Sequence, residues 1–301
     1  MEKFDIISNY PYLCGESPMW DSEKKQFWWT DMLAGHVYKY DPPTGQVTME
    51  FAGKNVSGFT MKKGGGLVMA THQGVYTWNE ADGLKLVAEE FAGNRLACND
   101  AAADARGRFL FGSAFYGPHC QGNDYPLGKL FSVGKNGSIC ILDEGIHLSN
   151  GIGFSPDNTT MYYTDTVTRI IYAYDYKLDS GAVSNRRIFV KVPDSEGIPD
   201  GLTVDADGYV WSAQWYGSCI VRYDPDGKVE RRLQTPALQT SSVMFGGENL
   251  TDLYVTSAAQ GVKLHCAPRG FDFHVKYYGG PVYRYRLGIQ GKAEPFAEIS
   301  I

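Results

Sequence analysis

A unit of 40 to 50 residues that recurs along the chain constrains the fold more than any other feature. Each copy has a short apolar strand, a polar turn, a second strand rich in aromatic residues and, after a gap, a strand of the type VYKYD. The copies begin at Ser17, Gly58, Asp100, Gly151, Gly201 and Ser242, which are 41, 42, 51, 50 and 41 residues apart. Repeats of this length with several strands per copy are typical of β-propellers, whereas a β-sandwich would need fortuitous turn spacing. The sequence therefore predicts an all-β, six-bladed propeller around a central channel.

The bulk composition is that of one globular domain without a nucleic-acid or membrane partner. With 301 residues, 43% of them hydrophobic, the chain can bury a large core, and the repeat predicts a single domain over residues 1–301. The net charge is −6 and no basic run is longer than pairs such as Arg186-Arg187 and Arg231-Arg232, so nucleic-acid binding is disfavoured. No apolar run approaches the length of a membrane span.

The N-terminal segment MEKFDIISNYPY lacks a basic stretch followed by an apolar one, so we expect no signal peptide and a cytoplasmic protein. As a separate expectation, the protein is a monomer or a weak homo-oligomer. The six cysteines form no C-x-x-C and lie far apart, which favours free buried thiols over disulfides.

The residue just before the first strand of each copy is polar in all six copies. In a propeller the innermost strand lines the channel, so these residues should converge at one mouth of it. They are Glu16, Ser57, Asn99, Asn150, Asp200 and Ser241. Oxygen-only ligands suit a hard divalent cation such as Ca²⁺ or Mg²⁺, and the lack of His and Cys argues against zinc as the preferred metal. The alternative is a polar ring that only holds ordered water.

A cation at this mouth would have a defined chemistry. It would polarise a carbonyl or phosphoryl oxygen, or lower the pKa of a bound water. A carboxylate among its ligands would take a proton from the attacking water. The sequence thus favours a hydrolytic metal site.

Four stretches of the chain resemble the signatures of one family. They are CGESPMWDSEKKQFWWTDM, SNGIGFSPDNTTMYYTDT, IPDGLTVDADGYVW and FGGENLTDLYVTSA. With them the chain is similar to the senescence-marker-protein, gluconolactonase and luciferin-regenerating-enzyme family, which includes regucalcin. The resemblance implies a six-bladed propeller with one divalent metal, with Ca²⁺ expected first and Mg²⁺, Mn²⁺ or Zn²⁺ as other ions that an open site accepts.

The resemblance also implies roles for particular residues. Glu16, Asn150 and Asp200 match the family's metal ligands, and Asp200 matches its proposed general base. Asn99 matches an asparagine beside the metal that helps to bind substrate. In the related diisopropyl-fluorophosphatase branch that asparagine ligates the metal, so we include Asn99 in the predicted metal set.

The resemblance implies a metal-dependent lactonase that hydrolyses the cyclic ester of a small sugar acid, of the gluconolactone type. Two alternatives stay open: a phosphotriesterase or arylesterase on the same metal, which the C-N-D stretch at Asn99 favours, and a non-catalytic calcium-binding regulator. Many sugar lactonases of the family carry R-x-N-D, but Ala97 stands at the arginine position here. Arg95 is the nearest arginine, and Tyr116 and Trp215 are further candidates for contact with the substrate.

Two insertions and one turn complete the predictions. Residues 116–128 and 260–280 should form loops over one face of the propeller, where loops set specificity. Asp205-Ala206-Asp207-Gly208 resembles the start of an EF-hand loop, but its glycine comes early and a strand follows, which favours a turn between strands.

Overall fold

The structure, a computed structural model, describes residues 2–114, 127–261 and 263–300. Within these ranges the chain forms 26 strands. In chain order they are β1 (Phe4–Ser8), β2 (Gly15–Asp21), β3 (Gln26–Asp31), β4 (His36–Asp41), β5 (Gln46–Ala52), β6 (Val56–Met61), β7 (Leu67–Thr71), β8 (Gly74–Asn79), β9 (Gly83–Ala88), β10 (Glu90–Phe91), β11 (Asn94–Arg95), β12 (Cys98–Ala103), β13 (Phe109–Ser113), β14 (Gly128–Val133), β15 (Ile139–Ile146), β16 (Ser149–Phe154), β17 (Thr160–Asp165), β18 (Ile170–Lys177), β19 (Ala182–Lys191), β20 (Ile198–Val204), β21 (Val210–Trp215), β22 (Cys219–Tyr223), β23 (Val229–Gln234), β24 (Thr240–Gly246), β25 (Asp252–Ser257) and β26 (Val282–Arg286). The described residues include no helix that is both long and apolar enough to span a membrane.

Six four-stranded antiparallel sheets are the blades of a propeller, so the predicted fold is confirmed. The sheets have the orders β2-β3-β4-β5, β6-β7-β8-β9, β12-β13-β14-β15, β16-β17-β18-β19, β20-β21-β22-β23 and β24-β25-β26-β1. The first strand of each predicted copy is the inner strand of its blade, and each inner strand packs against the inner strands of both neighbouring blades. β10 and β11 form a separate small hairpin between the second and third blades.

The sixth blade contains both ends of the repeat region. β1 pairs with β26 in antiparallel register, with Phe4 opposite Tyr285, and so supplies the outer strand of that blade. Backbone hydrogen bonds between the first and last strands of the chain close the ring. β1 thereby covers the edge of β26.

The hydrophobic core lies between blades rather than within one of them. One cluster joins Trp211 and Ile220 of the fifth blade to Phe245 and Tyr283 of the sixth. Trp211 and Phe245 meet edge to face, with ring centroids 5.6 Å apart. Each aromatic second strand therefore contributes to an interface with the next blade, as the recurring aromatic positions require.

Residues 287–300, which follow the last strand, cross the channel mouth opposite the predicted ring of polar residues, here called the far mouth. The tail receives a backbone hydrogen bond from Ala206 at Gln290, and Ala297 donates one to Met61 at 2.9 Å. Glu298 then donates to Gly107 at 2.7 Å. The tail thus ties the fifth, second and third blades together on the face opposite the predicted site.

The stretch Asp205–Gly208 is a turn at this far face, as predicted. Asp205 Oδ1 accepts the backbone N–H groups of Asp207 and Tyr209, each at 3.0 Å. Its Oδ2 accepts Trp211 Nε1 at 2.9 Å and pairs with Arg222 Nη2 at 2.6 Å. The carboxylate is fully used in folding the turn and holding the blade.

The five cysteines in the described ranges are free, which agrees with the predicted absence of disulfides. The prediction that all are buried is wrong for Cys140, which is exposed on the outer strand β15, and Cys266 is partly exposed. Cys120 lies outside the described residues.

Candidate metal centre at the channel mouth

A β-bulge interrupts every inner strand at the predicted ring position. The register with the second strand shifts between Glu16 and Met19 in the first blade and between Pro199 and Leu202 in the fifth. The other four blades shift at the equivalent place. A bulge places an extra residue in one strand and redirects side chains. Six aligned bulges therefore explain how residues far apart in sequence converge at one mouth.

Glycines next to the ring residues allow neighbouring inner strands to touch backbone to backbone. A Cβ on Gly151 would lie 2.6 Å from the backbone nitrogen of Leu202 and 2.8 Å from the carbonyl oxygen of Asp200. A Cβ on Gly58 would lie 2.8 Å from the carbonyl oxygen of Asn99. These contacts leave no room for a side chain and bring the ring residues of adjacent blades together.

A chain of hydrogen bonds connects three of the predicted site residues. Asn99 Nδ2 donates to Asn150 Oδ1 at 3.1 Å, and Asn150 Nδ2 donates to Thr166 Oγ1 at 2.8 Å. Thr166 Oγ1 donates in turn to the carbonyl oxygen of Pro199 at 2.8 Å, directly before Asp200. The amide nitrogens of both asparagines are thus engaged, and a second lone pair of Asn150 Oδ1 is available to a ligand.

Ser57 and Ser241, the remaining two members of the ring, serve the backbone instead. Ser57 Oγ lies 2.8 Å from the carbonyl oxygen of Cys98, on the next blade. Ser241 Oγ lies 2.5 Å from the carbonyl oxygen of Gly15, across the closure of the ring. These hydroxyls join inner strands, so the side chains suited to face a cation are the four already named as the predicted metal set.

Two buried carboxyl groups lie in this cluster without a cationic partner. Glu16 is 9% exposed and Asp200 is 5% exposed. Burial raises the pKa of Glu16 well above its usual value, and the charges of Asp200 and Asp100 raise it further. Burial and the charge of Asp100 likewise raise the pKa of Asp200. In the described part of the chain, neither carboxylate forms an ion pair with Lys, Arg or His.

Asp100 is a third carboxyl group of the channel that the sequence reasoning did not include. It follows Asn99 in the C-N-D stretch and lines a cavity below the ring, together with Thr60 and Glu294. Burial raises its pKa to about 7, against a hydrogen bond from the N–H of Ala101 that lowers it. The channel therefore concentrates acidic groups on its axis.

The donor set fits a hard divalent cation. No group of three or more His, Cys, Asp and Glu side chains placed to hold a metal is present among the described residues. A cation at this mouth would accordingly be held by the carboxylates of Glu16 and Asp200, the carboxamide oxygens of Asn150 and Asn99, and water. Oxygen ligands of mixed charge are typical of Ca²⁺, and a bound cation would remove the repulsion between the buried carboxylates.

The predicted substrate contacts have different surroundings. Arg95 is exposed on the β10–β11 hairpin and makes no ion pair with another described residue. Trp215 is buried and packs beside Tyr216 under residues of the 260–280 insertion. Tyr116 lies outside the described residues. A contact of Arg95, Trp215 or Tyr116 with substrate stays a prediction.

Two further aspartates hold the backbone that leads into the site strands. Asp31 accepts the N–H groups of Leu13 and Cys14 at 2.9 and 3.0 Å, shortly before Glu16. Asp165 accepts the N–H of Leu148 at 3.1 Å, shortly before Asn150. Both aspartates end the second strand of their blade in a T-D pair, and this repeated pair is the sequence signal that could have identified them.

The fold and this cluster define a class: a six-bladed propeller with buried carboxylates and carboxamides at one channel mouth. A family model described as the SMP-30/Gluconolactonase/LRE-like region matches residues 14–259. The chain belongs to this family, as the four quoted stretches predict.

Three similar proteins show how widely the match extends. The chain is 35% identical over 244 residues to the pentonolactonase XacC of Haloferax volcanii, which covers 81% of each chain. It is 29% identical to a 6-deoxy-6-sulfogluconolactonase of Pseudomonas putida, over 98% of each chain. The solved structure of a calcium-binding protein, regucalcin, from Agrobacterium tumefaciens matches with a TM-score of 0.84 and 25% identity, over 98% of this chain and 97% of that one.

Proposed function

We propose that the protein is a divalent-cation-dependent hydrolase that opens the lactone ring of a small sugar acid. The observation that carries the proposal is the buried Glu16–Asp200 pair, which has no cationic partner among the described residues and lies beside the linked amides of Asn99 and Asn150. Two of the relatives are named as lactonases of sugar acids, which supports the substrate class. The regucalcin structure is described as that of a calcium-binding protein, which supports Ca²⁺ as the ion.

The site residues have distinct tasks in this reaction. When bound, the cation supplies Lewis-acid polarisation of a carbonyl group. Asp200 accepts a proton from the attacking water while the water oxygen bonds to the lactone carbonyl carbon. The ring C–O bond then breaks, and the former ring oxygen takes up a proton to give the open hydroxy acid. Asp200 is suited to this task because its carboxylate is buried beside the linked amides and has no cationic side chain paired with it among the described residues.

A second candidate is hydrolysis of a phosphotriester or an aryl ester at the same centre. One observation favours it: the side chain of Asn99 is hydrogen-bonded directly to Asn150 and so belongs to the ligand cluster itself. Ala97 also leaves the position of the family's substrate-holding arginine without a charge. The third candidate is a non-catalytic protein that binds calcium at the same cluster.

An assay panel with one variant separates these functions. Purified protein is tested on aldonolactones, aryl esters and phosphotriesters, after chelation and after addition of Ca²⁺, Mg²⁺, Mn²⁺ or Zn²⁺. We expect lactone hydrolysis that chelation abolishes and a divalent cation restores. Asp200→Ala should lower kcat/KM for the lactone by about 10²- to 10⁴-fold, because the proton acceptor is lost.

Asp207→Ala, in the exposed turn of the same blade, is the matched control and should keep full activity. Near-normal lactone hydrolysis by folded Asp200→Ala would contradict the proposed role. Faster turnover of aryl esters or phosphotriesters would favour the second candidate, and tight Ca²⁺ binding without any turnover would favour the third. Action in the cytoplasm as a monomer or weak homo-oligomer stays a prediction from the sequence.

A further inference from the structure

Arg169 is a buried arginine whose guanidinium donates to backbone carbonyl groups of two separate segments. It is 5% exposed and lies in the turn between β17 and β18 with a positive φ of 60°. Its Nη1 lies 3.1 Å from the carbonyl oxygen of Pro193 and 3.0 Å from that of Gly197. Its Nη2 lies 3.2 Å from the carbonyl oxygen of Cys266. One side chain thus joins the fourth blade to the chain before β20 and to the 260–280 insertion.

Both segments lie next to the candidate site. Residues 193–197 lead directly into β20, which carries Asp200. The insertion places Leu264, Cys266 and Phe271 against an apolar cluster that includes Ile198, two residues before Asp200. Its residues 263–280 therefore cover the start of a strand that bears a predicted ligand.

The insertion is held on its other side by Tyr216. The ring of Tyr216 lies 4.5 Å from that of Phe271, and its hydroxyl accepts the N–H of Leu264 at 3.2 Å. Burial raises the pKa of the Cys266 thiol to about 11, and the charge of Asp200 is among the smaller effects that raise it.

The turn that carries Arg169 also contacts the ligand cluster. Thr166, three residues earlier, accepts from Asn150 and donates to Pro199, as described above. The turn is thus bonded to the site through Thr166 and to the insertion through Arg169. A planar guanidinium can bond several carbonyl oxygens at once, which an ammonium group on a flexible stem cannot reproduce.

We propose that Arg169 is a positioning residue that fixes residues 263–280 as one wall of the candidate active site, and that this wall contacts the bound substrate. The substrate part of this inference rests on the proposed lactone hydrolysis; the anchoring part does not. Since Arg169 touches neither the ligands nor the reacting atoms, its loss should loosen the wall and leave the cation site in place.

The experiment compares Arg169→Met and Arg169→Lys with Arg187→Met in the full-length protein saturated with Ca²⁺. Arg187 is the matched control, because it lies on the outer strand of the same blade in an exposed ion pair with Asp175. Hydrogen exchange and limited trypsin cleavage report on residues 263–280, which contain Lys263, Arg269 and Lys276. Lactone kinetics and Ca²⁺ titration report on the site.

We expect faster exchange and cleavage in 263–280 for Arg169→Met, with a smaller effect for Arg169→Lys and none for Arg187→Met. KM for the lactone should rise by about tenfold or more, with kcat changed by less than about twofold and Ca²⁺ affinity unchanged. If Arg169→Met does not fold, Tyr216→Phe removes the bond to Leu264 and should give the same pattern in weaker form.

The outcomes separate this inference from the proposed function. Unchanged exchange in 263–280 would overturn the anchoring. Loosened exchange with unchanged KM would overturn the contact of the wall with substrate, and a large fall in Ca²⁺ affinity would assign Arg169 to the ligands instead. A wild-type protein without lactone turnover would refute the proposed function and with it the substrate contact, and the exchange result would still decide the anchoring.

Discussion

At the scale of single residues, the candidate site keeps acids together at a cost in stability. Glu16 and Asp200 are buried and Asp100 is half-buried at the channel, and desolvation is the main cause that raises the pKa of each of them. Such an arrangement is unfavourable in the folded chain alone, because a buried charge loses its hydration and repels its neighbours. The cation that we propose would make it favourable, so affinity and metal-free stability should respond to mutation in opposite directions.

Glu16→Gln tests this opposition. The amide keeps the shape of the side chain but removes one negative charge, so Ca²⁺ affinity should fall by at least about tenfold. The free energy of unfolding of the metal-free protein should rise by about 1–3 kcal/mol, because the fold no longer has to bury an acid that must stay charged without a partner or take up a proton. Calorimetric Ca²⁺ titration and chemical denaturation after chelation measure the two effects.

Glu248→Gln, on an exposed loop, is the control and should change neither quantity. A metal-free Glu16→Gln protein that is less stable than the wild type would contradict the proposed conflict of charges, whatever its Ca²⁺ affinity.

The repeat allowed one ring residue per blade to be predicted, but it could not reveal Asp100. A regular strand sends neighbouring residues to opposite sides, so strand alternation alone lets only one of Asn99 and Asp100 face the channel. The bulge between Cys98 and Ala101 breaks that alternation, and both residues face inward. A bulge depends on pairing with β13, which the inner strand's own sequence does not specify.

At the scale of elements, the spacing between inner strands is set by glycine. Gly201 follows Asp200 in the bulge, and a Cβ there would lie 2.0 Å from Ser242 Oγ and 2.4 Å from Ser242 Cβ on the next blade. Because real Cβ atoms never approach so closely, any side chain at this position forces the fifth and sixth blades apart.

Gly201→Ala should therefore destabilise the protein by about 1–3 kcal/mol and weaken Ca²⁺ binding, since the strand that carries Asp200 must shift. Ser242→Gly should restore part of the loss in the double variant, because it removes the two side-chain atoms closest to the new methyl group and leaves the Cα at 2.9 Å. Gly134→Ala, whose nearest neighbour is the Ser138 hydroxyl at 3.0 Å, is the control. Denaturation and Ca²⁺ titration of Gly201→Ala, Ser242→Gly, the double variant and Gly134→Ala check the prediction. Equal losses in Gly201→Ala and in the double variant would count against it.

The blade count could be predicted from the sequence, whereas the closure of the ring could not. In each copy an apolar run indicates the inner strand, and all six inner strands lie where the repeat predicts them. The outer strand of the sixth blade is β1, at the other end of the chain. Nothing in the five residues of β1 indicates that they pair with β26, about 280 residues later. The docking of residues 263–280 through Arg169 has no local sequence signal either, since its acceptors are backbone carbonyl groups.

At the scale of the whole molecule, the two mouths of the channel differ. The tail crosses the far mouth through backbone bonds to three blades, while the near mouth carries the acids. The acidic groups of the channel therefore lie where the proposed cation would enter. We expect the stability of the propeller to change when those acids are protonated, ionised or bound to metal.

This dependence predicts how stability changes with pH. Asp100 has a pKa of 3.8 when unperturbed and about 7 in the fold, and the pKa values of Glu16 and Asp200 shift in the same direction. The metal-free fold thus binds more protons than the unfolded chain, so its free energy of unfolding decreases as pH rises through about 7. Burial lowers the pKa of the half-buried His72, which makes the free energy of unfolding increase with pH. A variant that lacks one of the channel acids is therefore needed to isolate their contribution.

Calorimetry at pH 6 and pH 8 tests this, with chelator or with saturating Ca²⁺. The chelated wild-type protein should lose more Tm between about pH 6 and pH 8 than chelated Asp100→Asn, which lacks one of the three titrating acids. Ca²⁺ should raise Tm more at the higher pH, because its carboxylate ligands must be ionised and protons compete with it at the lower pH. If the Tm of the chelated wild type follows that of Asp100→Asn at both pH values, Asp100 does not control the stability of the propeller. If the effect of Ca²⁺ on Tm is independent of pH, no carboxyl group of the channel is ionised on binding.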